Sequence, residues 1–146
     1  MRRILVGYDG TDSGRRALDR AIEEVRTTGG RVTVLSVLGV PLDPTVPRYF
    51  GTFDDISDRE GAASTAPPEV VGHLTEARDV LATAGVDADL EWAAGEPGGV
   101  IVETARRIRA DVVVIGEHHR GLLGRVFGAD VDAAVEREAG CSVILA

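Results

Sequence analysis

The chain contains no lysine; all 16 of its basic residues are arginines. A P-loop nucleotide site needs a lysine on the β- and γ-phosphates, so that class is excluded. A two-component receiver, another acidic α/β domain of this size, carries a lysine late in its sheet and is disfavoured on the same ground. Cysteine is nearly as scarce. Cys141, the only one, rules out an intramolecular disulfide and suits a reducing compartment. It stands where a terminal strand begins, which reads as a small buried hydrophobe rather than a reactive thiol. Positive charge is short overall, with 16 basic against 24 acidic residues and a net charge of −8. No basic patch emerges to neutralise phosphates, so general nucleic-acid binding is not expected. Long apolar runs are missing too: nothing approaches the roughly 18 residues of a membrane span. The opening "MRRILVGYDG" has too short an apolar stretch for a secretory signal, which makes a cytoplasmic location the expectation.

What remains, 146 residues with 44% hydrophobic content, suits one domain over residues 1–146 with a single sizeable core. Arg3 to Tyr8 reads as a short buried strand ended by the turn cluster "DGTDSG". A helix follows, with Thr11 or Asp12 as N-cap. Its apolar residues Leu18, Ala21, Ile22 and Val25 recur at helical spacing, and Gly29 or Gly30 supplies the left-handed stop. "RVTVLSVLGV" is apolar nearly throughout, as a strand covered on both faces would be. From Pro41 to about Pro68 the periodicity dissolves; this stretch holds five of the six prolines and predicts a long flexible loop. Its aromatics Tyr49, Phe50 and Phe53 are candidates to cover a site or a partner surface.

A second helix is predicted from Pro68 to Ala84, with Val71, Leu74, Val80 and Leu81 as its core face. In the third strand Val86, Ala88, Leu90 and Trp92 share one side. "GEPGGVIVETARRIRA" gives a turn and a third helix, "DVVVIG" a fourth strand, Val131 to Glu138 a fourth helix and "CSVILA" a fifth strand. This alternation predicts a single-domain, doubly wound α/β fold with a five-stranded parallel sheet and helices on both faces. Ligands of such sheets bind beyond the carboxyl ends of the strands, where the winding reverses. The segments leaving those ends with suitable chemistry are Gly7-Tyr8-Asp9-Gly10, Val37-Leu38-Gly39, and Ile115-Gly116 onward.

Several of these stretches together resemble the universal stress protein family: "RRILVGYDGTDSGRRAL", "VTVLSV", "GEP" at Gly95 to Pro97, "ADVVVIG" and "CSVILA". The likeness runs in order along nearly the whole chain. It implies strand order 3-2-1-4-5, the adenine nucleotide alpha hydrolase-like arrangement, and homodimers formed through the C-terminal strand Cys141–Ala146. It also implies an adenine nucleotide, ATP or AMP, held without a Walker motif. The family's phosphate loop reads Gly-x2-Gly-x9-Gly followed by Ser or Thr, after the fourth strand.

Carried onto this chain, the resemblance puts the adenine near Asp9 and Val37, and the ribose and phosphates on the loop after the fourth strand and the helix start beyond it. The candidate binding residues are these two with Tyr8, Ile115, Gly116, His119, Arg120, Ala129, Asp130 and Val131. Gly116 matches the first glycine of the loop. His119 stands at the second, Ala129 at the third and Asp130 at the hydroxyl. Shifting by one residue recovers Gly128 as the third glycine, but Ala129 then replaces the hydroxyl. A carboxylate about 4 Å from a phosphate repels it by roughly 1 kcal/mol in water and by several times that in a partly screened site. At a helix start the same aspartate caps free N–H groups and favours the dipole. The site therefore reads as degraded for ATP, with an anion already supplied by the chain.

Other chemistries find little support. "EHH" at Glu117 to His119 places adjacent residues on a loop, which rarely converge on one metal, and no second His/Cys cluster lies nearby. No G-x-S-x-G elbow exists, and Ser13 and Ser36 read as capping and strand residues. No catalytic residue is assigned; slow ATP hydrolysis is the most enzymatic activity this sequence suggests. The function predicted is a small dimeric stress-response module, with a nucleotide-dependent regulator binding ATP or AMP as the alternative.

Overall fold

A computed structural model describes residues 2–39, 49–52, 67–95, 97–116 and 140–146. Its centre is β1 (Arg3–Gly7), whose last four residues are fully buried. β1 pairs in parallel with β2 (Arg31–Gly39) on one side and with β5 (Val112–Ile115) on the other. Outward from β2 lies β4 (Ala88–Gly95), and outward from β5 lies β6 (Ser142–Leu145), both parallel to their neighbours. These five strands take the order 3-2-1-4-5 when counted among themselves.

A sixth, antiparallel strand adds to these five. β3 (Tyr49–Thr52) falls inside the segment predicted as loop and runs antiparallel along β4, with Tyr49 opposite Ala94 and Thr52 opposite Glu91. The full order is β3-β4-β2-β1-β5-β6. β4 would otherwise present an unpaired row of backbone donors and acceptors, and β-prone residues from the preceding connection satisfy it.

The helices cover both faces. α1 (Asp12–Thr28) and α2 (Pro68–Thr83) pack on one, over Ile4, Val6, Val32, Val34, Trp92 and Val114. α3 (Pro97–Ile108) packs on the other, over Leu5, Leu35, Ala93, Val113 and Ile115. Strict alternation along each strand produces this division, since neighbouring residues point to opposite faces. Ala88, Leu90 and Trp92 indeed share the α1/α2 face.

Local signals set the limits of α1. The Thr11 side chain accepts a hydrogen bond from the Gly14 N–H at 3.1 Å, and Asp12 places a negative charge in the first turn. At the other end Gly29 adopts φ 70°, and its N–H reaches the Val25 carbonyl at 2.7 Å. In α2 the buried residues are Val70, Leu74, Ala77 and Leu81, while Val71 and Val80 are half-buried. The predicted face was thus rotated slightly, because adjacent valines satisfy two helical phases equally well. The predicted fourth helix, Val131 to Glu138, lies outside the described residues. Among the described residues no helix is long and apolar enough to cross a membrane.

Candidate functional site

Strand order reverses between β1 and β5. From β1 the chain moves through α1 to β2 on one side, whereas α3 delivers β5 to the other. The crevice beyond the carboxyl ends of these strands is where a doubly wound sheet seats its ligands.

The floor begins at Tyr8. Its backbone N–H bonds to the Leu35 carbonyl at 3.0 Å, continuing the β1–β2 ladder one residue past the strand. The side chain is buried on the α1/α2 face, where its hydroxyl donates to Glu76 of α2 and its ring meets His73 edge-on, 6.1 Å between centroids. Burial and the neighbouring Glu76 carboxylate hold the phenol well above its ordinary ionisation range. Strand parity explains the placement, since Tyr8 follows Ile4 and Val6 at intervals of two. A ligand at the sheet's end would meet the Tyr8 backbone, not its ring.

Asp9 turns the chain. Its Oδ1 accepts from the Thr11 N–H at 3.1 Å and from the Thr11 hydroxyl at 2.6 Å. That hydroxyl in turn accepts from the Gly14 N–H, so one chain of bonds fixes the Asp9 carboxylate to the start of α1. Gly10, between them, has φ 80°, and a Cβ there would come within 2.7 Å of His73 Nε2. The positive φ favours glycine at this position, and a Cβ there would displace the imidazole.

Across the crevice, Ile115 is buried in the α3-side cluster, and its carbonyl accepts from the Ala146 N–H at 2.9 Å. Gly116 follows, also buried. A Cβ on Gly116 would collide with the Ser13 hydroxyl and stand 2.9 Å from the Ser13 carbonyl carbon. The first glycine of the loop is therefore required by the close approach of α1 to β5. Val37 is half-buried on the α3 side, two residues past Leu35, the register partner of Gly7.

Tyr8, Asp9, Val37, Ile115 and Gly116 thus gather at adjacent strand ends. His119, Arg120, Ala129, Asp130 and Val131 lie outside the described residues. Sequence reasoning missed three residues at this end of the sheet: Ser13, His73 and Glu76. Parity along β1 could have turned Tyr8 toward a helix, but nothing local names the helix or the residues on it. Among the described residues no group of three or more His, Cys, Asp or Glu is placed to hold a metal ion.

Comparison with known proteins agrees with this fold. The profile of the Universal stress protein family matches residues 1–146. A universal stress protein of Thermus aquaticus is 29% identical over 146 residues, spanning 97% of this chain and 96% of that one. The stress response protein NhaX of Bacillus subtilis is 24% identical, covering 98% of this chain and 96% of its own. Among solved structures, a universal stress protein in complex with cAMP superposes with a TM-score of 0.65 at 26% identity, covering 99% of this chain and 94% of that one. One from Archaeoglobus fulgidus in complex with dAMP gives 0.62 at 22% identity, covering 99% and 97%. An Arabidopsis thaliana protein with AMP bound gives 0.62 at 20% identity, covering 99% and 90%.

Proposed function

The chain belongs to the universal stress protein family, and from that premise we propose that it is a dimeric regulatory module that takes an adenine nucleoside or mononucleotide and discriminates against ATP. The crevice at the carboxyl ends of β1, β2 and β5 is the seat of that ligand. The observation that carries the reading is the Asp9 carboxylate, tied to Thr11 at the mouth of the switch point beside a glycine-edged strand end. An oriented acceptor there suits the amino and hydroxyl donors of a nucleoside. It does not suit a run of phosphates.

Two further considerations support the same ligand class. The similar structures named with cAMP, dAMP and AMP each hold a nucleotide with one phosphate group. In this chain the loop motif after β5 carries Ala129 and Asp130 where glycine and a hydroxyl stand in the family's ATP motif. An aspartate in the motif's hydroxyl position brings a like charge to a phosphate. The ligand acts by occupancy, shifting the chain between bound and free populations.

Calorimetric titration of the purified chain with adenosine, AMP and ATP tests the proposal, beside an Asp130→Ser variant. Adenosine and AMP are expected to bind at least about tenfold more tightly than ATP, a difference of roughly 1.4 kcal/mol, and the variant to narrow that gap. Wild-type affinity for ATP equal to that for AMP would reject the discrimination. Failure of all three ligands to bind would reject the nucleotide reading.

A further inference from the structure

A hydroxyl is buried at the start of α1 with no bonding partner among the described residues. Ser13 is 8% exposed, and among the described residues its Oγ has no hydrogen-bond partner. It is aimed at the end of β5, occupying the place where a side chain on Gly116 would begin. Capping does not explain it, because Thr11 holds that role. Packing does not explain it either: alanine would fill nearly the same space without the cost of an unsatisfied buried hydroxyl.

The surroundings define what the hydroxyl suits. In the first turn, Thr11 takes up the N–H groups of Gly14 and Arg15. Those of Asp12 and Ser13 stand ahead of the first intrahelical bonds and point toward the same end of the sheet. Thr11 fixes the Asp9 carboxylate at this turn, and Asp12 adds a second negative charge to it. Donors in a turn with two negative charges favour a neutral group that can both give and accept a hydrogen bond, and disfavour an anion. With glycine at 116, no side chain of that residue stands between Ser13 Oγ and the carboxyl end of β5.

We infer that Ser13 is a specificity residue whose hydroxyl forms a hydrogen bond with a sugar hydroxyl of the nucleoside seated at the ends of β1 and β5. The inference rests on the nucleotide reading above and deepens it. The ligand supplies the missing partner, and the free chain carries the unsatisfied hydroxyl so that the bound chain can read the sugar.

The test titrates the full chain, wild type and Ser13→Ala, with adenosine, 2′-deoxyadenosine, 3′-deoxyadenosine and AMP, and records the thermal midpoint of each unliganded protein. Ser13→Ala is expected to weaken adenosine about three- to tenfold, the range of one net hydrogen bond. The midpoint should hold or rise, and the penalty should vanish for one of the two deoxynucleosides. Equal affinity of both proteins for adenosine would overturn the inference while leaving the site's reading intact. So would an equal penalty for every ligand, which marks a structural role, or a penalty for AMP without one for adenosine, which assigns the hydroxyl to phosphate. Wild type binding none of the compounds would remove the nucleotide reading and this inference with it.

Discussion

At the scale of single residues, Gly116 and Tyr8 hold the switch point in different ways. Gly116→Ala would drive a methyl group into Ser13, whose backbone as well as its side chain stands in the way. Overpacking of this kind costs about 1–3 kcal/mol, so the urea midpoint of the variant should fall, and shortening Ser13 should restore only part of it. Tyr8 makes a prediction in pH. Its folded phenol is held above the ordinary value near 10 by burial and by Glu76. The folded state therefore keeps this proton longer than the unfolded chain does. That contribution is complete below about pH 10 and is lost as pH rises beyond it. Tyr8→Phe should be less stable than wild type near pH 7 by about 0.5–1.5 kcal/mol, the worth of a hydrogen bond. The difference should shrink in alkali, which denaturant titrations from pH 7 to 11 would record.

Among elements, the start of α1 and the docking of α2 divide the work. Thr11→Ala removes both the cap on Gly14 and the hydroxyl that orients Asp9. A cost of about 1 kcal/mol in stability is expected, with weaker nucleoside binding alongside it. Leu74→Ala, at a fully buried position on α2, should cost about 2–5 kcal/mol, and Val71→Ala much less because Val71 is half-buried. This contrast also shows what the amino-acid order could and could not convey. Caps, strand parity and the apolar runs of β1, β2 and β5 are local, and Thr11, Gly29 and Trp92 stand where those rules put them. Val70 and Val71 are neighbours, so only packing decides which faces inward. β3 was illegible for a stronger reason. Four residues among prolines become a strand only because β4, some forty residues later, offers an open edge. Ser13 was invisible as more than a capping residue, since its meaning depends on Gly116 lying against it. Of the candidate site, the ends of β1, β2 and β5 could be read from pattern alone; the helix side chains that furnish them could not.

For the molecule as a whole, the charge of −8 sets how ligands of different charge respond to salt. Screening shortens from about 10 Å at 0.1 M to about 3 Å at 1 M, so repulsion of a polyanion should fade while binding of a neutral ligand stays level. Adenosine affinity is expected to be flat between those salt concentrations and ATP affinity to rise, as paired titrations would reveal. Sedimentation equilibrium should return the mass of two chains, with Ile144→Glu, on the half-buried terminal strand, returning one.

The single thiol turns the sheet's far edge into a clock. Cys141 is 5% exposed, packed in the α3-side cluster immediately before β6. A disulfide reagent can reach its sulfur only while the packing around it is open. The rate of modification therefore counts openings, and its ratio to the rate for an unfolded peptide gives their equilibrium frequency. Since β5 also ends at the proposed ligand crevice, occupancy that steadies β5 would slow the clock, and chemistry at one border of the sheet would keep time for binding at its middle.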